Sequence, residues 1–375
     1  MSPLRVAVVA TGDPASPATW SGSGAGLVAG LRGRGVEVVT VDASPPPTVR
    51  TAALAASAAV RRSRVDADYT RGLDLLRGKV AARRLRAAGP VDGAILLGAE
   101  QRLPAGARYV VSADMTLLQA RTTHPVFSRL SEGTANAFAE RQRRVYRDAV
   151  ALAPWSHWAA RSLVDDYGAD PARVHVVGAG RNHEVKPPEA RSWSPPRFLF
   201  VGREWERKGG PVLLEAFAAV QRALPEARLD VVGGHPPLDR PGVTGHGPLG
   251  FDVPDQARRV AALFAAATCF VMPSEVEPLG IVHAEAAAAG VPSIGSTVGG
   301  ARTIIGDEGG RLTPPGDPAA LETAMLELCD PATARRMGEA ARGRAAAFTW
   351  DAVAGRMLRA LAPPGIDLDD LPAFL

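Results

Sequence analysis

Pro273-Ser274-Glu275-Val276-Glu277-Pro278-Leu279-Gly280-Ile281-Val282-His283-Ala284-Glu285 is followed by an alanine run to Gly290 and by Val291-Pro292-Ser293-Ile294. The stretch reads as strand, loop, helix, strand. Phe270 to Met272 is a short apolar run that Pro273 stops. Pro278 and Gly280 hold the next residues out of regular structure, and Ile281 to Ala289 is an alanine-rich helix that Gly290 ends. The backbone N–H groups of Leu279, Gly280 and Ile281 then sit at a helix N-terminus, where unpaired donors and about half a positive charge favour phosphate or sugar hydroxyls. Glu277 precedes that helix and Glu285 lies two turns in, about 80° away around the axis if both were helical. Both carboxylates can therefore face one cleft. Taken alone, the pair also fits a solvated Glu277 and a Glu285 that caps a neighbour.

Working outward, the 375-residue chain is too long for one ordinary core and predicts two domains. With 46% hydrophobic and 22% charged residues it is globular rather than disordered. A net charge of +4 is mild for this length and gives no argument for nucleic acid. Cys269 and Cys329 are the only cysteines, so no disulfide framework is indicated and a reducing, cytoplasmic setting is expected. Met1-Ser2-Pro3-Leu4-Arg5 runs into an apolar strand without the pattern of a signal peptide, and no run reaches the ~20 apolar residues of a membrane span. Lys79, Lys186 and Lys208 are the only lysines among 43 Lys and Arg residues, which singles out Lys208.

In the first half, Arg5 to Ala10 (RVAVVA) is a strand. A loop rich in Gly, Pro and Ser follows, then a helix from Ala25 to Arg34 and a strand from Val36 to Val41. This is the opening of a nucleotide-binding βαβ layout. The loop contains Trp20-Ser21-Gly22-Ser23-Gly24 but no G-x-G-x-x-G, so Gly22 and Gly24 are either a plain turn or a phosphate approach. Ser57 to Ala88 reads as helical and arginine-heavy (Arg61, Arg62, Arg64, Arg71, Arg77, Lys79, Arg83, Arg84, Arg86), and Thr134 to Ala149 as a second basic helix. A solvated face is the simpler account; an anionic membrane surface or acidic acceptor is the other. Val91 to Leu97 and Arg108 to Ser112 are strands. Asp114 follows the second of them, either binding a ligand at the carboxyl end of the sheet or capping the next helix. His124, before Pro125, reads as structural.

The stretch from residue 181 to 195, rich in Pro and Gly, reads as a linker. After it the alternation restarts with Arg197 to Val201 (RFLFV), then Gly202-Arg203-Glu204-Trp205-Glu206-Arg207-Lys208-Gly209, a long amphipathic helix from Pro211 to Leu224 and the strand Arg228 to Val232. Val243 to Leu249 reads as a loop. No Asp-x-Asp or His/Cys cluster has convincing metal spacing, so no metal and no cofactor is expected.

Two motifs carry a resemblance. Pro273, Ser274, Glu277, Pro278, Gly280 and Glu285 fit P-S-x-x-E-P-x-G-x-x-x-x-E, and Gly202, Arg203, Lys208 and Gly209 fit G-R-x-x-x-x-K-G. Together they resemble retaining GT-B glycosyltransferases of the family 4 type (glycosyl transferases group 1), a likeness that extends over nearly the whole chain and is densest between Arg197 and Ile305. The resemblance implies that Glu277 holds hydroxyls of the donor sugar, Glu285 the ribose, and Arg203 and Lys208 the two phosphates. Fixed cations there would stabilise the charge gathering on the departing nucleoside diphosphate. It further implies donor contacts from Gly22, from the backbone of Gly247, Pro248 and Leu249 around the base, and from Leu279, Gly280 and Ile281. Many members have a histidine where this chain has Asp114, which would bind an acceptor hydroxyl or help a proton leave. Gly299-Gly300 resembles the loop beyond the helix, with Thr303 where an acid is common, and Phe348-Thr349-Trp350 resembles the family's C-terminal F-[ST]-W.

The fold class expected is α/β, a GT-B fold of two Rossmann-like domains with parallel sheets facing across a cleft. Residues 1–180 form the acceptor-binding domain, 181–195 the linker, 196–348 the nucleotide-sugar domain, and 349–375 a tail crossing back to the first domain. The function expected is retaining transfer of a sugar from a nucleoside-diphosphate sugar, UDP-sugar favoured, to the hydroxyl of a small or lipid-linked acceptor. Two other readings share the fold: an epimerase that needs no acceptor and a non-catalytic nucleotide-sugar-binding subunit. Peripheral contact with the inner membrane face would run through the arginine-rich helices.

Overall fold

The computed structural model describes residues 3–61, 64–250, 253–363 and 367–375. Two compact units emerge, Met1–Gly180 together with Trp350–Leu375, and Arg181–Thr349. Each is built on its own parallel sheet.

The first unit's strands are β1 (Arg5–Ala10), β2 (Glu37–Asp42), β3 (Gly93–Leu97), β4 (Tyr109–Ala113) and β5 (Ala151–Pro154), in the order β2-β1-β3-β4-β5 with every pair parallel. From Val6 on, β1 is apolar and buried, as is all of β3, and β4 is buried throughout with Ser112 its one polar residue, as strands covered on both faces by helices must be. The helices are α1 (Ser23–Gly33), α2 (Pro47–Arg61), α3 (Arg64–Asp68), α4 (Arg71–Ala88), α5 (Leu117–Thr123), α6 (Glu132–Asp148) and α7 (His157–Asp165). Thr70, Thr116, Ser131 and Ser156 start four of them, each side chain accepting the backbone N–H three residues on. Such caps contribute about 1 kcal/mol apiece.

The basic stretch Ser57 to Ala88 is not one helix: helix begins earlier, at Pro47, and the segment is divided among α2, α3 and α4. Arg62, like Met1 and Ser2, lies outside the described residues, as do the side chains of Arg61 and Arg64. Several of the other arginines are tied to acids within the unit: Arg77 to Asp68 and Asp74, Arg84 to Asp42, Arg141 to Asp74 and Arg143 to Glu140. No helix among the described residues is long and apolar enough to cross a membrane.

The second unit has β6 (Arg197–Gly202), β7 (Arg228–Gly233), β8 (Val243–Gly247), β9 (Cys269–Val271), β10 (Ser293–Ser296) and β11 (Gly310–Thr313), ordered β11-β10-β9-β6-β7-β8 and all parallel. Between them run α8 (Gly210–Ala223), α9 (Pro254–Ala266), α10 (Ile281–Ala288), α11 (Ala301–Ile305), α12 (Pro318–Glu327) and α13 (Pro331–Arg344). Its largely aliphatic core holds five buried phenylalanines, Phe198, Phe200, Phe217, Phe264 and Phe270, each worth roughly 2–3 kcal/mol of apolar transfer. Residues 243–247, expected as loop, form a strand whose partner β7 dictates it: Thr244-Gly245-His246 has no β pattern of its own, and the pairing shifts register between Val231 and Val232.

The stretch 181–195, read as a linker, is pinned to this second unit. Arg191 donates to the carbonyls of Phe264, at 3.1 Å, and Ala289, at 2.7 Å, while Val185 enters the core. The last helix, α14 (Trp350–Leu361), belongs to the first unit and packs on α1, β3, β4 and β5. Gly26, Gly30 and Gly180 make room for Trp350, since a Cβ on any of them would run into its ring or backbone.

Candidate functional site

In an open parallel sheet, ligands settle outside the carboxyl ends of the strands, where successive crossovers turn in opposite directions. The second unit's reversal lies between β6 and β9, and the first unit's between β1 and β3. Both motifs found in the sequence begin at the β6/β9 reversal: Gly202 ends β6, and Met272-Pro273 follows β9.

The loop after β6 is shaped from below. Trp205 is buried against Phe200, with ring centroids 5.3 Å apart. Lys208, Gly209 and Gly210 donate their N–H groups back to the carbonyls of Glu204, Glu206 and Trp205. Gly209 takes φ +78°, and a Cβ there would collide with the carbonyl of Pro273. Only glycine lets the two loops touch. They are then stitched together. The Glu275 N–H donates to the Arg207 carbonyl at 2.9 Å, Arg207 donates to the Val276 carbonyl at 3.1 Å, and Lys208 Nζ donates to Glu277 Oε2.

Glu277 is 7% exposed. Burial pushes its carboxyl up, but Lys208, by charge and hydrogen bond, together with Arg207 outweighs this, and the pKa falls below the ordinary carboxylate value. The charge is therefore present where a desolvated acid alone would be neutral. The Glu277 backbone also holds the next loop: its carbonyl accepts the Gly300 N–H at 2.8 Å, and Gly299, at φ +105°, lies so close that a Cβ would fall on it. The Gly299-Gly300 pair singled out in the sequence thus sits beside Glu277.

Gly280, at φ +75°, ends the loop and opens α10. Beneath it His283 is 1% exposed, edge-on to Phe270, with neither ring nitrogen partnered. Burial drives its pKa down to about 4, so it is neutral beside the Lys208–Glu277 pair. Leu279 is buried, and Ile281 partly so.

Glu285 lies one layer away. It is 4% exposed, and its carboxylate accepts the backbone N–H groups of His183 and Asn182. Burial pushes it up to about 8 despite those bonds and the Arg181 charge. Arg203 is exposed, and its charge adds to burial in lowering His183 to about 4. Lys208 and Glu277 are thus in direct contact, while Arg203 and Glu285 share the neighbourhood of His183. Gly247 closes β8 and donates its N–H to His235 Nε2 at 3.0 Å; Pro248 is exposed and Leu249 partly buried.

In the first unit, Gly12 donates its N–H to both Asp42 Oδ1 and Ser44 Oγ, at 3.0 and 2.9 Å, fastening the β1 loop to the end of β2. Trp20 and Ser21 adopt left-handed φ values of 52° and 53°, a conformation costing roughly 1–2 kcal/mol per non-glycine residue. Gly22, at φ +88°, opens α1, and Ser23 behind it is buried with its hydroxyl unpartnered. Asp114 does not cap α5. Thr116 does, in a capping box with Gln119, while Asp114 Oδ1 accepts the Met115 N–H at 2.8 Å. His124 packs edge-on against Phe127 and accepts the Val126 N–H, a structural role.

The sequence reading passed over Glu100, His183, His283 and Arg207. Glu100 alone had a usable signal, since Gly98-Ala99-Glu100 follows an apolar strand as Asp114 does. It rests near Arg77 and Asp114, and burial pushes it up to about 7. Among the described residues no group of three or more metal-ligating side chains gathers.

Residues 195–330 match the family described as Glycosyl transferases group 1. A D-inositol 3-phosphate glycosyltransferase of Frankia alni is 35% identical over 233 residues, 54% of this chain and 57% of that protein. The chain spans about half the length of the curated relatives it matches. Sucrose-phosphate synthase from Thermosynechococcus elongatus aligns with a TM-score of 0.66 at 20% identity, over 94% of this chain and 97% of that one. WaaG, a glycosyltransferase involved in lipopolysaccharide biosynthesis, aligns at 0.60 and 16% identity, over 96% and 100%. The fold is GT-B.

Proposed function

We propose, from a chain whose second unit carries the glycosyl transferases group 1 segment, that the protein moves a sugar from a nucleoside-diphosphate sugar to an acceptor hydroxyl with retention of configuration. The observation that carries this reading is the buried contact of Lys208 with Glu277 at the β6/β9 reversal, beside the glycine-opened N-terminus of α10. A carboxylate kept charged by a lysine is an acceptor for sugar hydroxyls, and the same lysine is a cation for an adjoining phosphate.

In this reading Lys208 and Arg203 steady the diphosphate as negative charge collects on it, and the N–H groups of Leu279, Gly280 and Ile281 add donors at a helix start. Glu277 positions the hexose and forms no bond to it. Retention then follows from attack on the leaving-group face, the acceptor's proton passing to a donor phosphate oxygen. Glu285, already accepting two backbone N–H groups, keeps lone pairs for a ribose hydroxyl. No metal or cofactor is assigned a part.

The test is a thermal-shift panel of UDP-, GDP- and ADP-sugars, because a ligand that binds only the folded state raises Tm by mass action. A rise with one base class, UDP expected, that Lys208→Ala abolishes supports the assignment. Absence of any shift overturns it, and release without an acceptor of a hexose inverted at C2 would assign the site to epimerisation.

A further inference from the structure

Two histidines of opposite tautomer fasten β8. His235, in the loop after β7, accepts the Gly247 N–H at Nε2, over 3.0 Å, and its Nδ1 lies 2.8 Å from the Pro236 carbonyl. A backbone N–H only donates and a carbonyl only accepts, so the ring proton is on Nδ1 and Nε2 is bare. His246, one residue back on β8, is the reverse: Arg259 donates to its Nδ1 at 2.9 Å, and its Nε2 donates to Asp230 Oδ1 at 2.7 Å. Asp230 is on β7 and Arg259 on α9, so His246 secures the body of the strand. His235 secures its last residue.

The His235 ring is seated from both sides. Gly245 leaves room for it, since a Cβ there would lie 2.5 Å from Cε1, and Trp205 meets it at 64° with ring centroids 6.2 Å apart. The neighbouring Gly234 lies against the Arg203 carbonyl, where a Cβ would come within 2.6 Å. Arg203 and Trp205 belong to the loop that carries Lys208. One imidazole therefore spans the loop after β6 and the end of β8. Gly247 takes φ +65° with open space around a prospective Cβ, and there the chain leaves the sheet at the same carboxyl edge as the Lys208 loop.

We propose that His235 is a positioning residue for the nucleotide: its bare Nε2 holds the segment from Gly247 to Leu249 in place against the base, so that binding of a nucleoside-diphosphate sugar weakens in mild acid. The proposal rests on the sugar-transfer reading, which puts the diphosphate at the loop after β6; β7 and β8 continue that edge beyond it. Protonation would set a second ring N–H opposite the Gly247 N–H, and the bond would be lost. Histidine is the side chain whose ordinary titration falls between about pH 5 and 8. Of the charged groups on the loop after β6, Glu204 is paired with Arg207 and Lys208 with Glu277, while Arg203 and Glu206 also stand on it. Asp239 and Arg240 share the His235 loop, and on β8 His246 is turned to Asp230 and Arg259. Among the described residues His235 is in no ion pair.

Isothermal titration of the full chain with UDP-glucose, GDP-mannose and ADP-glucose, at about pH 7.5 and about pH 5.5, tests it. None of the three carries a group that titrates between those values. The best-bound of them should bind at least threefold more weakly at the lower pH. His235→Leu, which keeps bulk and removes the acceptor, should weaken it at least tenfold at the higher pH. His235→Gln, whose Oε1 can accept the Gly247 N–H and does not titrate, should recover native affinity to within a few fold and lose most of the pH dependence. In the unliganded chain, exchange of the Gly247 amide should quicken at least tenfold in His235→Leu and return toward native in His235→Gln. Native affinity or native amide exchange in His235→Leu overturns the proposal, as does full native pH dependence in His235→Gln. Binding that strengthens in acid through His235 would make the ring a cation for phosphate and overturn it too. If His235→Leu does not fold, the native and His235→Gln curves decide. A native chain that binds none of the three overturns the sugar-transfer reading and this one with it, whereas binding indifferent to His235 overturns this one alone.

Discussion

Lys208 Nζ is bonded to Glu277 Oε2 across two loops 69 residues apart in sequence, with both side chains largely buried. The bond keeps an acid ionised inside the protein and fixes the two loops in one arrangement.

Removing one partner leaves a buried charge uncompensated, which costs more than losing the pair. Lys208→Met should therefore lower unfolding stability by about 3 kcal/mol, while Lys208→Met with Glu277→Leu should recover much of that loss. Urea unfolding of the two single variants and the double variant checks it; additive losses would mean the pair is uncoupled.

Glu277→Gln keeps the shape and removes the charge. Sugar transfer should fall about a hundredfold in kcat, the magnitude usual for loss of one group that stabilises a transition state. Steady-state kinetics on a variant with near-native Tm reads this, and an unchanged kcat would remove Glu277 from the reacting centre.

Glu285 should make stability depend on pH. Its folded pKa, about 8, lies above the ordinary 4.5. Between those values the folded state binds the proton more tightly than the unfolded chain, so stability falls with rising pH. The contribution is complete below the unfolded value and is lost as pH climbs through about 8. Tm from pH 4 to 9 should decline more steeply in the native protein than in Glu285→Gln; parallel curves would contradict the shift.

Two glycines separate backbone strain from collision. Gly316, at φ +72°, has nothing near a prospective Cβ, whereas Gly299, at φ +105°, would strike the Glu277 backbone. Gly316→Ala should cost only the left-handed penalty of about 1 kcal/mol. Gly299→Ala should cost more and also abolish the nucleotide-sugar thermal shift by displacing Glu277.

Transfer activity should survive EDTA, since Arg203 and Lys208 supply the positive charge that a divalent ion would otherwise bring. Loss of activity restored by added magnesium or manganese would refute the metal-free reading.

Strands such as β1 and β6 were legible because buried parallel strands are unbroken apolar runs, and the loops after β6 and β9 because glycine and proline mark where such runs stop. What escaped is what packing alone decides. β8 has a strand's conformation only through its neighbour β7. His183 and His283 owe their depressed pKa values to burial, which no local pattern announces. Glu285 sits where its spacing put it, yet its engagement with the N–H groups of residues 182 and 183 depends on a segment read as a tether.

The helix that Trp350 begins follows the whole second unit in the chain, yet it seats on α1 and β3, which precede that unit. Throughout translation of residues 181–349, the glycine-lined seam at Gly26, Gly30 and Gly180 has nothing to fill it. The second unit is therefore complete in the chain before the first is, and closing the first unit's seam waits on residues made after it.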